Sequence, residues 1–194
     1  MKDFIRDQLR TAVTTLLAIG HDNALLDQLA EAALITAEAL LRGNKLMVAG
    51  NGGSAAEAQH LVAEFVGRFT KERPALAAVA LTTDTSCLTC IGNDYGFDRI
   101  FDRQIEALGH AGDVFLALST SGNSPNLLLA LRRCRQMKIT TVGFGGATGG
   151  SMVEFCDRMI MIPSKTTAQI QEGHLILGHI FCGLVEQRCL RGNP

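Results

Sequence analysis

An imidazole and a carboxylate lie four residues apart in the segment that follows the first apolar run of the sequence. His60 and Glu64 would share one face of a helix, because residues at i and i+4 are neighbours on a helical surface. Nitrogen and oxygen donors of this kind suit a metal such as zinc, which needs two further ligands from elsewhere. An ordinary ion pair on a helix surface has the same spacing, so both interpretations stay open.

Three further polar side chains, Gln171, His174 and His179, interrupt a long apolar segment near the end of the sequence. On one helix, Gln171 and His179 would be about 12 Å apart at a rise of 1.5 Å per residue. They could share one ion only if the helix began irregularly or if a second subunit contributed one of them. The spacing does not decide between these arrangements.

The segment Gly50-Asn51-Gly52-Gly53-Ser54 follows an apolar run and precedes a helical pattern. Its glycines would let backbone N–H groups face a ligand oxygen, and Ser54 could cap the helix, whose positive end attracts an anion. The segment also fits a loose dinucleotide-binding pattern. The acidic ribose partner is missing at the expected spacing, since Asp84 comes too late, and a nicotinamide cofactor is therefore disfavoured.

A second polar segment, Ser119-Thr120-Ser121-Gly122-Asn123-Ser124, places four hydroxyl groups within six residues. Ser124 followed by Pro125 has the form of a helix N-cap and a first helical residue. Hydroxyl donors, free backbone N–H groups and a helix N-terminus predict a phosphate cradle that uses no Lys or Arg. The alternative is an ordinary serine-rich turn.

Five short apolar runs, each followed by a polar loop or a helical pattern, are typical of buried strands. They span 45–49, 77–81, 114–118, 140–144 and 159–162. Repetition of strand, loop and helix predicts an α/β fold: a doubly wound, five-stranded parallel sheet of flavodoxin type with helices on both faces.

Helical patterns precede and follow these strands. Segments 3–19 and 24–41 predict an N-terminal helical hairpin, the second helix starting at Asp22 or Asn23. Segment 168–190 predicts a closing helix whose surplus apolar face indicates an oligomer interface. Glycines at 173, 178 and 183 indicate close helix contacts. We expect one domain over 1–194, with the hairpin at 1–43 and the α/β core at 44–194.

Composition limits the classes of function. With 18 basic and 19 acidic residues the net charge is −1, which disfavours nucleic acid or an anionic membrane as a partner. The first seven residues carry both charges and resemble no signal sequence, and no run is long enough to span a membrane, so a cytoplasmic protein is expected. The six cysteines lie in apolar stretches and are expected to be buried thiols rather than metal or redox sites.

The motifs, in this order, resemble those of the phosphoheptose isomerases of the SIS (sugar isomerase) superfamily, over nearly the whole chain. They are Gly50-Asn51-Gly52-Gly53-Ser54, His60-x-x-x-Glu64, Gly92-Asn93-Asp94, Ser119-Thr120-Ser121-Gly122-Asn123-Ser124 and Gln171-Glu172-x-His174-x-x-x-x-His179. The resemblance implies conversion of sedoheptulose 7-phosphate to glycero-manno-heptose 7-phosphate, the entry step to the heptose of bacterial lipopolysaccharide or capsule. It also implies a homotetramer with active sites at subunit contacts and one zinc ion per site.

The resemblance assigns metal ligands and substrate contacts residue by residue, and the catalytic roles added to them are a hypothesis from the chemistry of the reaction. The implied zinc ligands are His60, Glu64, Gln171 and His179. Glu64 would be the base at the reacting carbons, and His179 would move the oxygen proton or assist ring opening. Gln171 and zinc would polarise the carbonyl group. The implied substrate contacts are Asn51, Gly52, Gly53, Glu64, Asn93, Asp94, Ser119, Thr120, Ser121, Ser124 and Gln171.

Two other functions stay open. Some SIS proteins of this size are non-catalytic tetrameric adaptors, one of which binds the bacterial replication initiator. The adaptor lacks the carboxylate at the position of Glu64 and interrupts the Ser-Thr-Ser-Gly loop, whereas this chain keeps both, which favours the isomerase. The third hypothesis is another ketose phosphate as substrate, such as a pentulose or hexulose phosphate, because a phosphate cradle leaves the length of the sugar open.

Overall fold

Five parallel strands form the sheet in the computed structural model, which describes residues 1–192. They are β1 (Leu46–Gly50), β2 (Ala78–Ala80), β3 (Val114–Leu118), β4 (Thr140–Gly145) and β5 (Arg158–Met161). Their order in the sheet is β2-β1-β3-β4-β5, which is the flavodoxin order. The predicted doubly wound α/β fold is confirmed, and each strand begins and ends within one residue of its apolar run.

Helices cover both faces of the sheet. They are α1 (Lys2–His21), α2 (Asn23–Leu41), α3 (Gly53–Val66), α4 (Thr85–Tyr95), α5 (Asp102–Leu108), α6 (Pro125–Gln136) and α7 (Thr167–Gly192). Apolar residues of α2, α3 and α7 pack on one face, whereas α5 and α6 pack on the other. Asp22 caps α2 by accepting a hydrogen bond from the N–H of Leu25 at 3.0 Å.

One imidazole is fully buried where α7 packs on the sheet. His174 lies between the Phe144 ring, 5.8 Å away between centroids, and the carbonyl oxygen of Gly145, 3.2 Å from Nε2. Burial lowers the pKa of His174 from 6.5 to about 4, although the Gly145 hydrogen bond opposes this. The ring is therefore neutral at pH 7 and belongs to the core rather than to an exposed site.

We expect His174 to make the free energy of unfolding depend on pH. The unfolded chain binds a proton at this residue near pH 6.5, whereas the folded chain does so only near pH 4, so protonation favours unfolding between these values. The contribution of His174 to the free energy of unfolding is complete above pH 6.5 and decreases by about 3 kcal/mol as the pH falls to 4. Denaturant titrations at several pH values give the free energy of unfolding of the wild type and of His174→Gln. The difference between the two proteins isolates the contribution of His174, because the other titrating groups are the same in both. Identical pH dependences would contradict the expectation.

Candidate active site

Two loops lie side by side at the carboxyl edge of the sheet, because β1 and β3 are neighbours. The first joins β1 to α3 and the second joins β3 to α6. Asn51 donates a hydrogen bond from Nδ2 to Oδ1 of Asn126 at 3.0 Å, and Asn126 returns one at 2.9 Å. This reciprocal amide pair fixes the two loops to each other. The sequence patterns did not single out Asn126, although its place in the first turn of the helix after a polar loop was a signal.

Serine hydroxyl groups of the second loop accept hydrogen bonds from backbone N–H groups of the same loop. Ser119 Oγ accepts from the N–H of Gly122 at 3.1 Å and lies 3.3 Å from Ser124 Oγ, and Ser121 Oγ accepts from the N–H of Asn123 at 3.2 Å. Ser124 is the N-cap residue of α6, as predicted, but its hydroxyl makes no capping hydrogen bond. Pro125 has no N–H, and the N–H of Leu127 donates to Asn126 Oδ1 at 2.9 Å. The Ser124 hydroxyl and the backbone N–H of Asn126 are thus available to an anion.

The first loop differs from expectation in one respect. The prediction that Ser54 caps α3 is wrong, because α3 begins at Gly53 with Gly52 in the N-cap position. Ser54 lies inside the first turn, is buried, and donates its N–H to the carbonyl of Asn51 at 3.0 Å. A glycine cap offers no side-chain acceptor, and the N–H of Ala55 donates to the carbonyl of Gly52 at 3.0 Å. The N–H of Gly53 is left for a ligand.

Helices α3 and α7 run side by side in the same direction. Gln171 touches Gly53 at their beginnings, since a Cβ at position 53 would lie 2.5 Å from Gln171 Nε2. Further along, a Cβ at position 178 would lie 2.8 Å from Leu61 Cδ2, so this close approach requires Gly178. The expected close contact of the closing helix is therefore found next to His179.

The close approach brings two imidazoles and a carboxylate together. His60 Nε2 lies 2.7 Å from His179 Nε2 and 3.8 Å from Glu64 Oε1. One ligand atom from each of the three residues lies within 4.8 Å of the others, and all three side chains are partly accessible. Two imidazole nitrogens and a carboxylate oxygen form a donor set that a divalent metal such as zinc accepts. The group also places a base next to two proton-transferring rings.

Gln171 is separated along α7 from the group formed by His60, Glu64 and His179. This helix is regular from Thr167, so an irregular start is excluded, and Gln171 and His179 of one chain lie about 12 Å apart along the axis. Gln171 instead lines a cleft of about 400 Å³ together with Gly53, Glu57 and His60.

Glu57 is a site residue that the sequence patterns missed. Its side chain lines the same cleft and is only 8% exposed, and its Oε1 has no hydrogen-bond partner among residues 1–192. Burial raises the pKa of this carboxyl to about 8. A signal existed, because residues 57, 60 and 64 follow the i, i+3, i+7 spacing of one helical face.

Asn93 and Asp94 lie in the exposed last turn of α4. Asn93 Nδ2 donates to Asp94 Oδ1 at 2.8 Å, and the Cys90 thiol donates to Asp94 Oδ2 at 3.6 Å. Within the described chain, no side-chain hydrogen bond joins them to the two loops.

All six cysteines are free thiols, but the expectation that they are buried is wrong for Cys90, which is exposed.

Membrane insertion through a helix finds no support in residues 1–192, where no helix is both long and apolar enough to cross a bilayer.

Comparisons with known proteins agree with the fold and motifs. The SIS domain family matches residues 11–146. The phosphoheptose isomerase of Aneurinibacillus thermoaerophilus is 49% identical over 193 residues, covering 100% of this chain and 98% of that protein. The solved phosphoheptose isomerase from Neisseria gonorrhoeae superimposes with a TM-score of 0.90 at 37% identity, covering 96% of this chain and 98% of that one. The one from Francisella tularensis gives 0.91 at 34% identity, covering 95% and 97%.

Proposed function

The chain belongs to the phosphoheptose isomerases of the SIS domain family, and we propose that it converts D-sedoheptulose 7-phosphate to D-glycero-D-manno-heptose 7-phosphate through an enediol. The observation that carries the proposal is the convergence of His60, Glu64 and His179 in a protein that also presents two polar loops, each at the N-terminus of a helix. We propose that residues 1–194 form a single SIS domain. It assigns the product to heptose synthesis for lipopolysaccharide or capsule.

Moving a carbonyl group from C2 to C1 requires a base that takes a proton from C1 and returns it to C2. Glu64 is that base in the proposal, and His179 moves the proton between the two oxygens or assists ring opening. Their side chains belong to one group, which supports the pairing of these roles. The loops at Asn51–Gly53 and Ser119–Ser124 hold the phosphate and sugar, together with Asn93 and Asp94.

Zinc is the metal that we assign to the group. His60, Glu64 and His179 would hold it, and Gln171 would add the fourth donor from a neighbouring subunit. The nitrogen and oxygen donors fit this ion, and the accessible side chains leave room for a ligand. The chemistry that zinc supplies when bound is polarisation of a carbonyl oxygen.

The dimensions of α3 favour a site shared between subunits. From Gly53 to Glu64 this helix spans roughly 16 Å, which separates the anion loop of a chain from its own base. A base must come within hydrogen-bond distance of its proton, so the loop of one subunit would face the base of another.

We propose a homotetramer, which would also cover the apolar side chains that α1 exposes. These are Phe4, Ile5, Leu9, Val13 and Leu17. We place the enzyme in the cytoplasm, where its free thiols stay reduced.

Aldose formation from a panel of ketose phosphates tests the function. The zinc-loaded protein should turn over sedoheptulose 7-phosphate with a higher kcat/KM than pentulose or hexulose phosphates. A preference for a shorter sugar would replace the substrate but keep the reaction. Absence of turnover with every sugar would contradict the enzyme and favour the adaptor function.

A further inference from the structure

One buried carboxylate holds the segment 67–77, between α3 and β2, against α7. Glu186 is 1% exposed and accepts hydrogen bonds from the backbone N–H groups of Phe69, Thr70 and Lys71 at 3.0, 2.9 and 3.0 Å. The Thr70 hydroxyl adds a fourth at 2.7 Å. Burial acts to raise the pKa of Glu186, but these hydrogen bonds outweigh it and lower the pKa to about 2. The segment is thus anchored on a permanent negative charge.

Arg73 connects this carboxylate to the end of α3. Its side chain is 3% exposed, and its Nε donates to Glu186 Oε1 at 3.2 Å. Its Nη2 donates to the backbone carbonyl of Glu64 at 2.6 Å, and its Nη1 donates to that of Phe65 at 2.9 Å. Carbonyls in the last turn of a helix lack partners within the helix, and a cation is favourable there. Arg73 therefore caps the helical turn that carries Glu64.

Phe69 connects the same carboxylate to His179. The Phe69 ring is stacked on the His179 imidazole, with centroids 5.7 Å apart and planes at 27°. A Cβ at position 183 would lie 3.3 Å from Phe69 Cε1, so Gly183 makes room for the ring. His179 also meets the His60 ring in an edge geometry, with centroids 4.9 Å apart. The imidazole thus contacts two rings, one of which, Phe69, is fixed through its backbone by Glu186.

We propose that Glu186 and Arg73 are positioning residues for proton transfer, which set Glu64 through the end of α3 and His179 through Phe69. The inference rests on the proposed function for the roles of Glu64 and His179. Glu64 and His179 belong to different helices, and their separation must be held for efficient transfer, because small displacements of reacting groups cost large factors in rate. Arg73 binds the backbone carbonyl of Glu64, and Glu186 binds the backbone of Phe69, whose ring packs on His179.

The first test compares two buried ion pairs. Glu186→Gln keeps the size of the side chain but removes the charge and sets an amide N–H against the backbone donors. Asp113→Asn is the matched control, since Asp113 is 1% exposed and pairs with Lys45 at 2.6 Å. Its hydrogen-bond partners are Asn44, Lys45 and His110, none of which belongs to α3, α7 or the segment 67–77. We expect Glu186→Gln to lower kcat about tenfold or more with KM within about twofold. Asp113→Asn should leave both constants within about twofold of wild type.

The second test does not use activity. In metal-free protein with labelled histidines, the ring current of Phe69 should shift the His179 ring protons upfield. Glu186→Gln should abolish this shift because it releases the backbone of Phe69, whereas Asp113→Asn should retain it. Phe69→Leu removes the ring but leaves the ion pair intact, and it should lower kcat about tenfold or more with KM within about twofold. Its kcat therefore decides the matter if Glu186→Gln does not fold.

Retention of both kcat and the His179 shift in Glu186→Gln, or retention of kcat in Phe69→Leu, would overturn the proposal. So would an equal loss of kcat in Asp113→Asn, since that would make the effect one of general stability. Absence of turnover in the wild type would count against the proposed function instead, and the histidine signals would still test the positioning.

Discussion

Glu64→Gln is expected to lower kcat by about 1,000-fold or more with sedoheptulose 7-phosphate, because general base catalysis contributes factors of this order and the amide cannot accept the carbon proton. The substitution preserves the shape of the side chain, and the Glu64 side chain is 22% exposed, so the fold should tolerate it. Initial rates must be compared at equal zinc content, since a carboxylate bound to zinc is a weaker base and Glu64 has both roles in the proposal.

Glu72→Gln is the matched control. Its side chain is 89% exposed and pairs with Arg68 on the surface, so the same chemical change there should leave kcat within about twofold. Near wild-type turnover by zinc-loaded Glu64→Gln would show that Glu64 is not the base. If added zinc restored the rate of a metal-poor variant, Glu64 would act as a ligand only.

Chains that carry Glu64→Gln and chains that carry Ser121→Asp should recover activity when they are expressed together, although each is inactive alone. The Asp carboxylate would repel the phosphate from the exposed loop while leaving the distant His60, Glu64 and His179 intact. If a site combines the loop of one subunit with the base of another, random pairing restores roughly a quarter of the sites. Turnover by the purified mixed oligomer measures this recovery.

The control for this experiment pairs Glu64→Gln with His179→Gln. Both residues belong to one group within one chain, so a mixed oligomer of these variants has no site with an intact group. This mixture should stay inactive. Recovery in neither mixture, with mixed oligomers present, would place the complete site within a single chain and contradict the shared site.

Local chemistry was sufficient to predict the sheet. Strands of a parallel sheet are covered on both faces, so β1 and β3 are continuous apolar runs whose ends the sequence marks clearly. The 3.6-residue period likewise places His60 and Glu64 on one face of α3 without knowledge of the fold. Ser54 shows the limit of this reasoning, because the helix begins two residues earlier than the capping pattern suggested.

By itself the sequence determined which residues share a strand or a helical face, since those relations depend on a fixed local period. It did not determine which faces meet. His179 joins His60 across 119 residues because Gly178 lets α7 approach Leu61 of α3. The burial of Glu57 and the anchoring of 67–77 by Glu186 are also consequences of packing between elements distant in sequence. Only the tertiary structure decides such contacts, because they depend on the shapes of two surfaces rather than on the spacing within one.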